Sequence, residues 1–208
     1  MEPLLPAEAE AADMMSSLPA HLLDEILTRL DLRDAERTSV LSCVWRRRWE
    51  CLPGLALCFT PPSANVVKID TIPFIFRNLK SLAIETRFFE MHPILLLFPL
   101  LRSSPDLEKL KIEIRNWEPE WVTNCDILSE EWTNAQWTDG MCANLQVVQI
   151  NNYIRWLPLS FMKLILSKAS LLHTLSVDVC PVSQDDPQNE LLKCRRASAQ
   201  AQVLFKCT

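Results

Sequence analysis

The sequence predicts a mixed fold of the α+β or α/β class, in which a small three-helix unit precedes a short solenoid of strands and helices. Residues 17–52 carry apolar side chains at helical spacing. Beyond Pro61 and Pro62, short segments of similar shape recur every 27 to 38 residues. Of the 208 residues, 49% are apolar and 23% are charged, which is typical of a globular protein that buries a core.

The first predicted helix begins near Ser17. Pro19 suits its first position, where the missing N–H of proline removes no hydrogen bond. The apolar residues that follow recur three and four positions apart and form one stripe. They are Leu22, Leu23, Ile26, Leu27 and Leu30.

Two further helices are predicted before Pro53. Asp31 caps the second helix, and Asp34 lies in its first turn. Ser42 caps the third, which runs through Trp45 and Trp49. A unit of about 35 residues buries too little apolar area to be stable alone, so it needs the rest of the chain or a partner.

The strand-like segments share the pattern Leu-x-x-Leu-x-Ile, with valine at some positions. Its four copies begin at Leu79, Leu107, Leu145 and Leu172. Such a repeat is typical of a leucine-rich solenoid, in which each copy supplies one short parallel strand. Helical returns are expected at 94–102 and at 159–169, behind Pro158. Unrelated amphipathic strands in an α/β domain are the alternative.

An acidic, tryptophan-rich segment separates the second and third copies. Residues 116–140 hold six acidic residues, no basic residue and four tryptophans. The tryptophans are Trp117, Trp121, Trp132 and Trp137. We expect an irregular loop, whose indoles either fold back onto the solenoid and bury apolar area or anchor a basic partner.

Composition excludes several classes of function. The chain has two glycines and fourteen prolines. Two glycines are too few for the GxGxxG and P-loop motifs that bind phosphates. The net charge is -5, and the first 28 residues hold six acids and no Lys or Arg, so no nucleic-acid face is predicted. The acidic start and a longest apolar run of eight residues predict neither a secretory signal nor a membrane span. We expect a nuclear or cytoplasmic protein.

No pattern of catalytic or metal-binding residues is present. The eight cysteines form no Cys-x-x-Cys pair, and the histidines at 21, 92 and 173 are far apart, so we predict reduced, mostly buried thiols and no metal site. No motif places a base beside Cys125 or Cys142. We predict no cofactor and no enzymatic activity. A thiol enzyme is a further alternative, and it would require at least one cysteine that is rapidly alkylated in the folded state. The basic run at 46–48 is expected on a solvated helix face.

The segment from Ser17 to Leu52 resembles an F-box. The resemblance lies in Leu18-Pro19, Leu22-Leu23, Ile26-Leu27, Leu30, the TSVLS stretch at 38–42, Trp45-Arg46 and Trp49. The stretches CANLQVVQINNY, FMKLILSKASLLHTLSV and CRRASAQAQVLF resemble the FBD domain, which closes many plant proteins with leucine-rich repeats behind an F-box. The chain therefore resembles the plant F-box/leucine-rich-repeat/FBD family over 17–57 and 74–207.

This resemblance implies five regions. They are a disordered acidic leader at 1–15, an F-box at 16–57, a short leucine-rich-repeat-like region at 58–115, the acidic Trp-rich loop at 116–140 and an FBD-like region at 141–208. The family usually has several more repeats, so the repeat region is shortened. Cys43-Val44 stand where the family commonly has Lys-Arg, and His21 stands in place of Glu or Asp.

The resemblance also implies a scaffolding role without catalysis. In this family the F-box docks on the Skp-type adaptor, and through it a cullin, of an SCF (Skp, cullin, F-box) ubiquitin ligase, while the repeats hold a client protein. The adaptor-binding residues it implies are Leu18, Pro19, Leu22, Ile26, Leu27, Leu30, Val40, Leu41, Trp45 and Trp49. About half are expected in the unit's own core. The alternative is a truncated module that binds the adaptor without delivering a client.

Overall fold

The computed structural model describes residues 17–30, 32–46, 48–59, 72, 75–86, 93–114, 130–153, 159–179 and 187–207. Several sequence predictions concern residues outside these ranges. They are the leader at 1–15, the join at Pro61-Pro62, Trp117, Trp121, Cys125 and Pro158.

Helices and strands alternate along most of the described chain. The first helices are α1 (Ala20–Thr28) and α2 (Leu32–Arg37), with 3-10 helices at Thr38–Val40 and Arg48–Cys51. The strands are β1 (Gly54–Phe59), β2 (Ser81–Thr86), β3 (Lys109–Ile114), β4 (Val147–Tyr153), β5 (Thr174–Val179) and β6 (Gln202–Cys207). The later helices are α3 (Pro93–Arg102), α4 (Glu130–Ala135), α5 (Leu159–Lys168) and α6 (Pro187–Lys193).

The six strands form one parallel sheet whose order, β1-β2-β3-β4-β5-β6, follows the chain. Side chains alternate between the two faces of a strand, and one face packs two apolar rows into the core. The rows are Leu55, Leu82, Leu110, Val148, Leu175, Val203 and Leu57, Ile84, Ile112, Ile150, Val177, Phe205. The other side, the open face, carries the residues between these rows. They are Ala56, Ala83, Lys111, Gln149, Ser176 and Leu204.

A shared carbonyl joins each strand to the next at its N-terminal end. The carbonyl of Pro53 accepts the N–H groups of Lys80 and Ser81 at 2.8 and 3.0 Å. The carbonyls of Lys80, Glu108 and Gln146 each accept two N–H groups from the following copy in the same way. Because the backbone groups of the turns are thus satisfied, the copies stay in register across the loops of different length between them.

The sequence predicted four of these strands, and β2 to β5 are confirmed. It missed β1, although Leu52-x-x-Leu55-x-Leu57 fits the same pattern. It also missed β6, where Gln200 stands in place of the leading leucine. The predicted loop at 116–140 is wrong for Glu130–Ala135, which form α4.

The first helix is confirmed and the third is not. Pro19 is the N-cap residue of α1, one position earlier than predicted, and its carbonyl accepts the N–H of Leu22 at 3.0 Å. Residues 43–46 form turns, followed by the 3-10 helix Arg48–Cys51. The N–H groups of Trp45 and Arg48 bond carbonyls three residues back, which is 3-10 spacing, and the Arg46 N–H bonds the Ser42 carbonyl four residues back, as in a single α-turn.

The N-terminal unit and the sheet share one core. Leu23, Leu27 and Ala35 pack in the same cluster as the sheet rows, and the rings of Trp49 and Phe76 meet edge to face at 6.0 Å. On the helical layer, Phe98 of α3 contacts Phe161 of α5 at 5.8 Å between ring centroids. The N-terminal unit therefore covers the β1 end of the core, as its small size requires. In the described part of the chain, no helix combines the length and apolarity needed to cross a bilayer.

Candidate interaction surface

The structure divides the ten candidate adaptor-binding residues by burial. Leu27, Trp45 and Trp49 lie in the core, and Leu18 and Leu30 are half-buried against it. Pro19, Leu22, Ile26, Val40 and Leu41 are exposed, and Val40 is 86% exposed. The exposed group is positioned to contact a partner without unfolding, whereas burial leaves Leu27, Trp45 and Trp49 little or no surface for direct contact.

Helix α1 is apolar on two sides. Leu23 and Leu27 face the core, whereas Leu22 and Ile26, also four residues apart, stay exposed. Residues four apart lie on the same side of a helix, so the consecutive pairs at 22–23 and 26–27 supply one stripe for the core and a second for contact.

The second exposed apolar group lies in the turns after α2. Val40, Leu41 and Val44 are all exposed. Inner contacts fix the backbone beneath them: the Thr38 hydroxyl donates to the Ala35 carbonyl at 2.6 Å, and the Trp49 indole N–H donates to Ser39 Oγ at 3.3 Å.

These side chains make up what we call the apolar surface. Its members are Pro19, Leu22, Ile26, Val40, Leu41 and Val44. Of the nine large apolar side chains that lie exposed in the described chain, five lie between 22 and 44. Such concentration of exposed apolar side chains is typical of an interaction site.

An ion pair joins α1 to the last turn of the unit. Arg48 Nε donates to Asp24 Oδ1 at 2.7 Å, and its Nη2 donates to Asp24 Oδ2 at 3.2 Å and to the Ala20 carbonyl at 3.0 Å. The expectation of a solvated helix face at 46–48 is therefore wrong for Arg48, whose side chain is only 24% exposed. Sequence reasoning missed this pair because the two residues are 24 positions apart.

We expect Arg48→Met to lower the free energy of unfolding by about 1 kcal/mol. A bidentate arginine–carboxylate pair is stronger than a simple ion pair, but partial solvent exposure of Asp24 limits its value. Urea denaturation measures the change. Asp24→Asn should lower the free energy of unfolding by a similar amount. The double variant should lose little more than either single variant, because both substitutions remove the same interaction. Fully additive losses would contradict the pairing.

The open face of the sheet is polar and mixed in charge. Lys111 pairs with Glu113 at 3.0 Å, and at the strand entrances Lys80 pairs with Glu108 at 3.0 Å. The hydrogen bond to Glu108 raises the pKa of Lys80 above its ordinary value. Small residues, Ala56 and Ala83, occupy β1 and β2. The open face therefore presents charged groups of both signs on β3 and at the strand entrances, and small side chains on β1 and β2.

The four thiols whose burial the structure describes differ. Cys142 is buried, and burial raises the pKa of its thiol to about 12. Cys194 is half-buried, and Cys43 and Cys51 are exposed, so the prediction of mostly buried thiols is wrong for Cys43 and Cys51. Within the described ranges, no three or more His, Cys, Asp or Glu side chains come together as metal ligands would.

Comparisons with known proteins bear on the family of the chain. No family model matches it, and no solved structure matches it. An F-box/FBD/LRR-repeat protein of Arabidopsis thaliana is 32% identical over 130 residues, which are 56% of this chain and 31% of the relative. The chain is similar to plant F-box/FBD/LRR-repeat proteins. The family resemblance in the sequence is thereby confirmed.

Two other Arabidopsis thaliana relatives carry related names. An FBD-associated F-box protein is 36% identical over 83 residues, 38% of this chain and 19% of the relative. F-box/LRR-repeat protein 13 is 45% identical over 49 residues, 24% of this chain and 11% of the relative. The chain thus spans about a third or less of the length of these F-box relatives.

Proposed function

We propose that the chain is a non-catalytic, substrate-recognition adaptor subunit of an SCF-type ubiquitin ligase in the nucleus or cytoplasm. Its F-box segment, residues 17–52, would bind a Skp-type adaptor and, through it, a cullin. The observation that supports this most is the apolar surface, where Val40 is 86% exposed although the same unit buries Trp45 and Trp49. The names of the F-box relatives agree with it.

Burial of the apolar surface supplies part of the free energy of docking. Removal of apolar area from water contributes roughly 25 cal/mol per Å², or about 1.5–3 kcal/mol for a side chain such as leucine that passes from full exposure to full burial. Val40 is 86% exposed but Leu22 and Ile26 only 37% and 40%, so each contributes that value in proportion to its exposed fraction. Association costs several kcal/mol in lost freedom, of the order of 4–15 kcal/mol. The six side chains therefore offset the lower end of that cost when a partner covers them, and further contacts supply the rest.

The F-box segment also holds this surface at a fixed place on the molecule. Leu23 and Leu27 join α1 to the same core as the sheet, so an adaptor bound to Leu22 and Ile26 is rigidly coupled to the rest of the chain. A client held by the strand region would then stay at a defined distance from the cullin. We propose the open face of the sheet as the region that contacts the client.

Two substitutions test the docking. We expect Ile26→Asp and Val40→Asp each to weaken binding of a purified Skp-type adaptor by about 30-fold or more, because each places a charge in an apolar interface. Isothermal titration calorimetry measures the affinity. Thermal unfolding should change little, since both side chains are exposed in the isolated chain.

Leu171→Asp is the matched control, because Leu171 is an exposed apolar residue in the turn before β5. It should bind the adaptor like the unsubstituted chain. Equal losses in all three variants, or no loss in any, would disprove the proposed surface. A reconstituted ligase then separates client delivery from mere occupancy: a chain that binds the adaptor but leaves every candidate client unmodified acts as a competitor.

A further inference from the structure

The last strand of the sheet, β6, differs from the strands before it in how well it is covered. Leu175 and Val177 of β5 are fully buried, whereas their neighbours in register, Val203 and Phe205, are only half-buried. Leu204, on the open face, is 45% exposed. Among the described residues, β6 pairs with β5 alone.

Hydrogen bonding defines which groups of β6 face outward. The N–H of Gln202 donates to the His173 carbonyl of the β5 side at 2.8 Å. Because a trans peptide points its C=O opposite to its N–H, the Ala201 carbonyl faces away from β5. Alternate residues of a parallel strand bond opposite neighbours, so Val203 and Phe205 direct their N–H and C=O groups to the outer edge.

Basic side chains lie at both ends of this edge. The guanidinium of Arg196 donates to the outward-facing Ala201 carbonyl at 2.7 Å, which places its charge beside the start of the edge. Lys206 is exposed near the end of β6, opposite Asp178 in register. Residues 187–207 hold four basic residues and one acid, Glu190, and that acid is paired with Lys163 at 2.8 Å. With Asp178 counted beside Lys206, the surroundings of β6 hold four basic and two acidic residues, so the charge there is positive although the chain as a whole carries -5.

We propose that the outer edge of β6 binds an extended, acidic peptide segment of a client protein as a seventh strand. The peptide backbone would bond the N–H and C=O groups of Val203 and Phe205. Its apolar side chains would cover the half-buried row, and its carboxylates would lie near Arg196 and Lys206. This rests on the proposed function and deepens it, since it adds the edge of β6 to the open face as a contact for the client and assigns the chemistry of the client segment. The edge does not need the adaptor in order to bind the peptide.

A second copy of the chain is the competing occupant, and charge disfavours it. Pairing of two β6 edges would bring two segments of net charge +3, four basic residues less one acid, against each other. An acidic peptide instead supplies the opposite charge, and strand addition to an exposed edge is a common way to bind extended segments.

Peptide binding to the full chain, without adaptor, tests this directly. The probe is a fluorescent seven-residue peptide of alternating glutamate and valine, followed by anisotropy. We expect it to bind, and to bind more weakly at 300 mM than at 50 mM salt because the charges are screened. A peptide of alternating lysine and valine should not bind.

N-methylation separates strand addition from simple charge attraction. In an added strand only alternate peptide N–H groups face β6. Methylation of one alternate set of amides should therefore weaken binding at least tenfold, and methylation of the other set should have little effect. Equal behaviour of the two methylated peptides, or equal binding of acidic and basic peptides, would overturn the proposal.

One substitution completes the experiment. Lys206→Glu should weaken binding of the acidic peptide roughly 3- to 10-fold. Arg46→Glu makes the same charge change at an exposed residue of the F-box segment and should leave the affinity for the peptide unchanged. Analytical ultracentrifugation tests whether a second copy of the chain occupies the edge. A dimer that the substitution Leu204→Lys dissociates would assign the edge to a second copy and overturn the proposal. Loss of peptide binding with adaptor binding intact would refute the edge alone, and the reverse would refute only the adaptor surface.

Discussion

Replacement of Trp45 by alanine is expected to lower the free energy of unfolding by about 3–5 kcal/mol. The Trp45 side chain is 1% exposed and lies in the core shared by the N-terminal unit and the sheet. Loss of a buried aromatic side chain removes its transfer free energy and leaves a cavity that the neighbours fill only in part. A change of this size is a large fraction of the stability of an ordinary domain.

The same substitution should reduce adaptor binding only through unfolding. Trp45 is one of the ten candidate adaptor-binding residues, but its burial leaves it no surface for contact. Val40→Ala gives the opposite pattern: the side chain is 86% exposed, so we expect a change in unfolding free energy within about 0.5 kcal/mol together with weaker adaptor binding.

Chemical denaturation by circular dichroism, with adaptor affinity measured on the folded fraction, separates the two effects. A Trp45→Ala chain with an unchanged free energy of unfolding would contradict the shared core. A folded Trp45→Ala chain that no longer binds the adaptor would show instead that Trp45 contributes to the interface.

How far the sequence predicts this fold depends on where the repeat is regular. The leucines at 79, 107, 145 and 172 begin four copies of the pattern, and each copy forms a strand. The same pattern at Leu52 falls inside the segment that resembles an F-box, so spacing alone does not distinguish β1 from the end of a helix. In the last copy Gln200 stands at the position of the leading leucine, so the sequence pattern does not predict β6. This strand is recognised only from its pairing with β5 in the structure.

The candidate site shows a different limit. The pairs Leu22-Leu23 and Ile26-Leu27 both repeat at a spacing of four, so the sequence predicts two apolar stripes but not which stripe faces inward. That choice depends on the position of β1, which packs near Leu23 and Leu27. The Asp24–Arg48 pair depends on the same packing, because its members come together only when α1 lies against the last turn of the segment.

In the folded chain, Cys142 should react with alkylating reagents much more slowly than the exposed thiols do. Burial raises the pKa of its thiol to about 12, so at pH 8 its reactive thiolate fraction is about 1,000-fold smaller than that of a thiol with a pKa near 9. We expect iodoacetamide to label Cys43 and Cys51, which are exposed, at least 1,000-fold faster than Cys142 in the folded chain. Mass spectrometry of the labelled peptides measures each rate. Rapid labelling of Cys142 would contradict its burial and favour a thiol enzyme.

The raised pKa also makes stability depend on pH in a defined direction. The thiol of the unfolded chain ionises near pH 9, while the folded chain keeps its proton until about pH 12. Between these values the unfolded state has lost a proton that the folded state retains, so rising pH favours unfolding. The contribution of Cys142 is present below pH 9 and should fall by about 1 kcal/mol between pH 8 and pH 10.

Cys142→Ala isolates this effect from the other groups that ionise in alkali. Alanine has no proton to lose, so the difference in unfolding free energy between the unsubstituted chain and the variant should shrink by that amount between pH 8 and pH 10. Cys43→Ala is the control, because Cys43 is exposed in the folded chain and its removal should leave the difference constant. If the difference in unfolding free energy between the unsubstituted chain and Cys142→Ala stays the same from pH 8 to pH 10, the thiol ionises in the folded protein as readily as in the unfolded one.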